Sequence, residues 1–475
     1  MAYKHGNRYQ MKLFPQSIED YVSEADPVRA YDAFVEALDF NELGIILDEN
    51  QVGNSEYDPK AMVKLLVYGY SYGIRSSRKL ERALSHNVSF IWLMGGLNPD
   101  HKTISEFRKN NRKALKNILK QCARLCIKLG LIEGNTLFVD GSKIRANASI
   151  DNTWTQEKCE TYLKNIDERI ESILKESETM DDKEQNNESL IELNKGLKEK
   201  ETLKSKIQDI MKELKEKELK SINSTDPDCV KVKGRQGSHS GYNAQIVVDE
   251  KHGIIVNSDV VNENNDYNQF KEQIEQANET LDKECQNACA DSGYSNVDNL
   301  KEIDDKNITV IVPTTKQASG KETQPFDKER FQYNEQENCY TCPEGHKLLY
   351  SHFSTQKNQH IYRFPSATTC LSCKHFGTCT KAKRGRTIVR LANETIKAKL
   401  ENQYLKDESQ KIYKLRKQKV ELPFGHLKRN LGINAFLLRG LAGVKAEMSL
   451  FASCFDIARM ISIIGVPGLI AKLMA

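Results

Sequence analysis

The chain has 475 residues, 29% charged and 39% hydrophobic, with a net charge of +4. That length exceeds one core and implies roughly two to four domains. The most apolar stretch, 454–475, is interrupted by Asp456, Arg459, Pro467 and Lys472, which excludes a bilayer span. Residues 1–14 lack an apolar signal core, so no secretory signal and no membrane association are expected, and the compartment is expected to be cytoplasmic. The twelve cysteines then read as thiols or metal ligands rather than disulfides.

Residues 1–130 read as a helical domain. Asp58 caps a helix that has Pro59 at its first position and apolar residues at helical spacing up to Gly69. A second helix follows in Arg78–His86, and a third begins near Pro99–Thr103 and runs through Leu115. Short helices with tight turns suggest a helix-turn-helix arrangement. Ser76, Ser77, Arg78, Lys79, Lys102, Thr103 and Arg108 are its candidate DNA-facing residues, the alternative being a solvated polar face.

Asn135–Asp140 reads as a strand, with Gly141-Ser142-Lys143 as the turn after it, and Lys143 and Arg429 complete the candidate DNA contacts. Residues 155–222 are rich in Glu, Lys, Leu and Ile at three/four spacing. They read as an inserted antiparallel helical hairpin, either solvated or used for dimerisation or DNA clamping. Gly234–Gly241 reads as a loop leading into a β-hairpin, Tyr242–Asp249 and Ile254–Val261. A helix over 267–281 capped by Asp266, a strand 287–291, a helix 295–302 and a strand 307–313 follow. This order predicts an α/β (α+β) fold, a mixed sheet flanked by helices. The predicted core is 131–314 with 385–475, interrupted by the hairpin and by a cysteine-rich insertion at 315–384.

In that insertion, Cys339 with Cys342 and Cys370 with Cys373 form two CxxC pairs separated by 27 residues. Four such thiolates suit a structural Zn²⁺, with Cys379 as a spare or alternative ligand; reduced core thiols are the other reading. Cys122 and Cys126, one helical turn apart, read as core.

Three acids stand out: Asp140 after LFV, Asp291 after ACA, and Glu421 in a basic helical run. Residues 381–430 hold 15 Lys+Arg against 5 Asp+Glu, a local field suited to a polyanion. Strand-end and helix-borne carboxylates can converge on two hard divalent cations that clamp a phosphodiester. Glu421 and Lys428 are seven apart and share a helix face, provided that Pro423 does not break or kink the helix.

With these motifs the chain resembles the bacterial insertion-sequence transposases of the DDE (Asp-Asp-Glu) type. FVDGSKIRANAS is similar to their first-acid motif, ADSGY to the second and VELPFGHLKRN to the third. Tyr413, Arg416, Glu421 and Lys428 resemble the family's Tyr-Arg-Glu-Lys signature. The Arg–Glu gap holds four residues where the common pattern has three, and Lys417 fits the strict spacing. The resemblance implies a ribonuclease-H-like core, an N-terminal DNA-binding domain, and Mg²⁺ or Mn²⁺ on Asp140, Asp291 and Glu421. It implies cleavage of double-stranded transposon ends and transfer of the 3′-OH strand to target DNA, by a homodimer acting at the nucleoid. A nuclease without strand transfer, or a silent DNA-binding protein on the same scaffold, are the alternatives.

Overall fold

The computed structural model describes residues 17–47, 56–181, 187–234, 237–320 and 322–475, without the side chains of 176–191, 193 and 194. About half of it is helical and it contains several sheets, an α+β fold. It divides into two compact units, Met1–Asp266 with Glu272–Cys285 and Lys417–Ala475, and Tyr267–Lys271 with Gln286–Arg416.

In the first unit the expected N-terminal helices form at Pro59–Ser71, Ser77–His86 and His101–Asn110, preceded by Pro27–Glu36 and followed by Arg112–Lys128. Asp26, Asp58 and Asp100 each accept a backbone N–H at a helix start, and Pro59 fills a position whose N–H has no helical partner. Pro27–Glu36, Pro59–Ser71 and Arg112–Lys128 pack against Leu441–Ile464, which is apolar on nearly every side. Cys122 and Cys126 are buried in this core, as read from their spacing. Pro59–Ser71 and Ser77–His86 meet closely: a Cβ on Gly69 would lie 2.5 Å from Leu80 Cδ2 and 2.9 Å from the Ile74 carbonyl oxygen. No single helix among the described residues is long and apolar enough to cross a membrane; the pair Leu441–Ile464 and Val466–Leu473 has the length and composition together but bends by 109°.

The sheet of this unit is antiparallel. Thr136–Arg145 pairs with Gly237–Asp249, which also pairs with Val230–Gly234 and Ile255–Val261. This corrects two expectations. Gly141-Ser142-Lys143 is not a turn, because Gln245, Ala244 and Asn243 supply strand partners for all three. Residues 237–241 are strand rather than loop, pairing with Val230–Gly234; Arg235 and Gln236 lie outside the described residues. Here the ladder hydrogen bonds outweigh the turn preference of Gly and Ser.

The helical hairpin comprises Gln156–Asp181 and Asn187–Glu216, closed at its base by the short pair Thr153–Trp154 and Ile222–Asn223. The linker 182–186 lies outside the described residues. Cys159, Ile166, Ile207, Leu214 and Ile222 form a core of its own.

In the second unit, Asn287–Cys289 and Thr309–Ile311 pair in parallel, joined through the helix Val297–Asp304. A five-stranded antiparallel sheet follows, in the spatial order Thr387–Leu391, Gln359–Arg363, Lys347–Ser354, Cys339–Thr341, Gln332–Asn334. Its core is small: Phe331, Tyr340, Leu348, Tyr362 and Ile388. Glu394–Leu405 then leads to the helix Asp407–Arg429.

Candidate catalytic site

Asp140 lies in the middle of its strand, half-buried, opposite Ile246. Side chains alternate along a strand, so Asp140 and Ser142 share one face. Lys428 Nζ donates to Ser142 Oγ. The C-terminal turn of Asp407–Arg429 therefore lies on the Asp140 face of the sheet. Glu421 and Lys428 share a face of that helix, because seven residues make almost two turns. The helix does not break at Pro423. Val420, Phe424 and Leu427 are buried around the proline, and Lys419 Nζ donates to the carbonyls of Glu250 and, at 3.3 Å, Lys251. This anchorage offsets the backbone hydrogen bond that proline cannot make. Glu421 leaves 65% of its side chain exposed and pairs loosely with Lys417, at 3.9 Å.

Asp291 lies two residues beyond the end of its strand and caps a short 3₁₀ turn, accepting from the Gly293 N–H at 2.7 Å. Arg416 Nη2 stands 3.0 Å from Asp291 Oδ2. Arg416 is thus the base that meets the second acid, while Lys417 is the one that faces Glu421. Tyr413 packs edge-on against Tyr404, ring centres 5.1 Å apart. Burial pushes the Tyr413 hydroxyl up, and Arg416 opposes the shift. Beneath them the Cys289 thiol is pushed up to about 12 by burial, which keeps it protonated and inert.

The basic residues divide. Arg78, Lys79, Lys102 and Arg429 are exposed. Arg108 is not a surface residue, contrary to expectation. It is 3% exposed, and its guanidinium is spent on the Arg75 carbonyl at 2.8 Å, Ser77 Oγ at 2.5 Å and Tyr70 Oη at 3.3 Å. Lys143 is also committed inward, within 3.1 Å of Asp266, which accepts from the Asn243 and Gln245 side-chain amides as well. Both positions look basic and free in sequence, and both charges are matched inside the fold.

The cysteines also regroup. Cys339 is 1% exposed and its thiol turns to Glu337. Cys342, Cys370, Cys373 and Cys379 line one cavity. Burial raises the Cys379 thiol above its ordinary value; Arg386 opposes this, and Cys370, Cys342 and Cys373 add to it. Among the described residues, no group of three or more His, Cys, Asp or Glu side chains is drawn close enough to hold a metal ion as it stands.

One residue of this region escaped the sequence reading. Glu447, 0% exposed, accepts from the Leu437 and Leu438 N–H groups and from Arg75. It fixes residues 435–438, of which Ala435 bridges Arg145 and Phe436 donates to the Arg145 carbonyl at the end of the Asp140 strand. An acid inside the apolar run 441–464 was the available signal.

Two family models match the chain: "Transposase DDE domain" over residues 341–461, and "Transposase domain (DUF772)" over residues 16–110. The first spans Tyr413, Arg416, Glu421 and Lys428 along with all the clustered cysteines except Cys339; Asp140 and Asp291 lie outside it. No curated protein and no solved structure matches the chain. Both matched families are transposase families, and together they support the reading of this chain as an insertion-sequence DDE transposase.

Proposed function

We propose that this transposase is a metal-dependent enzyme that cuts double-stranded DNA at the ends of its element and passes the freed 3′-OH strand into target DNA. Asp140, Asp291 and Glu421 would hold Mg²⁺ or Mn²⁺. Their oxygen donors suit such hard cations, and Asp291 and Glu421 keep 42% and 65% of their side chains open to solvent. Bound divalent ions supply charge neutralisation at the phosphodiester and a more acidic water.

The chain's own contribution is alignment. Lys428, held at Ser142 beside Asp140, would grip a phosphate oxygen next to the bond that breaks. Arg416 would steady Asp291 and a neighbouring phosphate, and Tyr413 would stack on the flanking nucleotide. Cleavage and joining are both in-line displacements at phosphorus, first by water and then by the 3′-OH, and neither needs a covalent protein intermediate.

The scaffold we propose is ribonuclease-H-like. An antiparallel set of strands bears the first acid, a parallel β-α-β unit carries the second just beyond its first strand, and a helix carries the third. Exposed Arg78, Lys79, Lys102 and Arg429 are the proposed DNA contacts, and a homodimer follows from the need to cut two ends together.

The observation that carries this reading is the Lys428–Ser142 hydrogen bond, which holds the signature helix on the strand face of the first acid. The test is purified protein with labelled end DNA and Mg²⁺. Asp140→Asn, Asp291→Ala and Glu421→Gln are each expected to lower cleavage by on the order of 1,000-fold with the fold retained. Cleavage by Asp291→Ala at the wild-type rate would reject the assignment. Cleavage without joined product would reduce the enzyme to a nuclease.

A further inference from the structure

The cysteine-rich part of the second unit carries chemistry that the transposition reaction does not use. The core cluster of its sheet has five buried residues, few for a segment of this size. At the edge of that core, Cys342, Cys370, Cys373 and Cys379 line a single cavity of about 30 Å³, which His346 and His375 also reach. The two outer members, Cys342 and Cys379, pack directly against the core.

Strand geometry explains why Cys339 is not among them. Cys339–Thr341 is extended, so side chains alternate across the sheet. Tyr340 points into the core, and Cys342, two positions on, falls on the same side. Cys339, an odd number of residues from both, falls on the other. The CxxC spacing of 339 and 342 thus splits across a strand instead of making a knuckle. The loop Cys342-Pro-Glu-Gly-His346 instead folds back on itself, with the Cys342 N–H donating to the His346 carbonyl at 2.9 Å and the Gly345 N–H to the Cys342 carbonyl at 2.8 Å.

The backbone around the other sulfurs is arranged for thiolates. The Arg386 N–H donates to Cys370 Sγ at 3.4 Å. Gly385, with φ +78°, passes so close that an added Cβ would lie 3.1 Å from Cys370 Sγ. The Cys373 N–H donates to the Cys370 carbonyl at 3.2 Å and the Cys379 N–H to that of His375 at 2.9 Å, so three cysteines hang from two tight turns. Arg386 adds a cation, its Nη1 3.2 Å from the Cys379 carbonyl oxygen.

We propose that Cys342, Cys370, Cys373 and Cys379 form a structural zinc site, with Cys339 excluded. Four thiolates in a small cavity favour tetrahedral Zn²⁺, with bonds of about 2.3 Å. The four side chains, which are not drawn together as they stand, would turn toward the cavity centre on binding, and each thiol that binds would release its proton to solvent. The metal fastens the strand Cys339–Thr341 to the 370–386 segment where the apolar core gives out.

The test is zinc content and Co²⁺ substitution of the full chain purified under reducing conditions. About one zinc per chain is expected, and the Co²⁺ form should show the intense visible bands of tetrahedral thiolate coordination. Cys339→Ser should keep its zinc and its cobalt spectrum, whereas Cys342→Ser and Cys379→Ser should each lose most of the metal. Wild-type protein that binds neither metal overturns the site. So does iron in place of zinc, a disulfide between any two of the four cysteines, or metal loss in Cys339→Ser equal to that in Cys342→Ser. The wild-type measurements need no variant to fold, and none of these readouts depends on DNA cleavage.

Discussion

Replacing Glu447 by Ala should weaken the fold and the reaction together. The carboxylate accepts from the Leu437 N–H at 3.1 and 2.9 Å, the Leu438 N–H at 2.9 Å and Arg75 Nη1 at 3.2 Å. Burial pushes its carboxyl above the usual range, while those N–H groups and Arg75 pull it back. Truncation leaves two backbone donors without an acceptor, at about 1–3 kcal/mol each. It also strands Arg75, and removing one member of a buried pair costs about 3–5 kcal/mol. These costs overlap. Arg75 is 22% exposed and keeps the Ala435 carbonyl at 2.8 Å, so its charge remains partly solvated. A net loss of about 3–4 kcal/mol follows, a large share of the stability of an ordinary domain. Glu447→Gln preserves the shape and one acceptor oxygen, and should lose about half as much. Urea unfolding followed by circular dichroism measures both. End cleavage well below the melting temperature should also fall in the Ala variant, because residues 435–438 tie down the end of the Asp140 strand. An Ala variant within about 1 kcal/mol of wild type, or a Gln variant as damaged as Ala, would refute the argument.

Three further outcomes are expected. Gly69→Ala places a methyl group 2.5 Å from Leu80 Cδ2 and 2.9 Å from a backbone oxygen, which cannot move cheaply, so it should destabilise by about 1–3 kcal/mol in thermal melts. His426 lies edge-on to Phe455, and burial, reinforced by Arg459, holds its pKa below the usual histidine value. The unfolded chain therefore takes up this proton first: the stability it contributes is present above about pH 6.5 and lost as pH falls through the lowered value, so His426→Gln should flatten the acid limb of a stability–pH curve. A variant with as steep an acid limb as wild type would show that other groups set it. Finally, joining Thr153–Trp154 to Ile222–Asn223 through a short Gly-Ser linker in place of the helical hairpin should lower the melting of the remainder only by the loss of cover over Trp154 and Ile222, because the rest of the hairpin's core leaves with it and the strand pair already brings its ends together.

Periodicity made the helices and the hairpin insertion legible, since Asp58-Pro59 caps and three/four spacing act over a single turn. The candidate acids stood out for a different reason: each follows or sits within a distinctive local run. What sequence could not show were the decisions made at long range. Gly141-Ser142-Lys143 has turn composition, yet a partner strand about a hundred positions away extends it. Arg108 has the look of a DNA contact, yet three acceptors from two other helices and the turn between them claim it. Cys339 and Cys342 match a metal motif in spacing alone; the motif presumes a turn, and a strand sends the two sulfurs opposite ways. In each case the residue type was read correctly; what was missed was the strand conformation at 141–143 and 339–341 and the burial of Arg108 on a helix that was foreseen. The exception points the same way: Pro423 signals a break, and the helix continues because Val420, Phe424 and Leu427 are buried on either side of it. Glu421 and Lys428 share a face only because that packing keeps the helix whole, so the reach of the signature from Lys428 to Ser142 depends on hydrophobic contacts the motif does not contain.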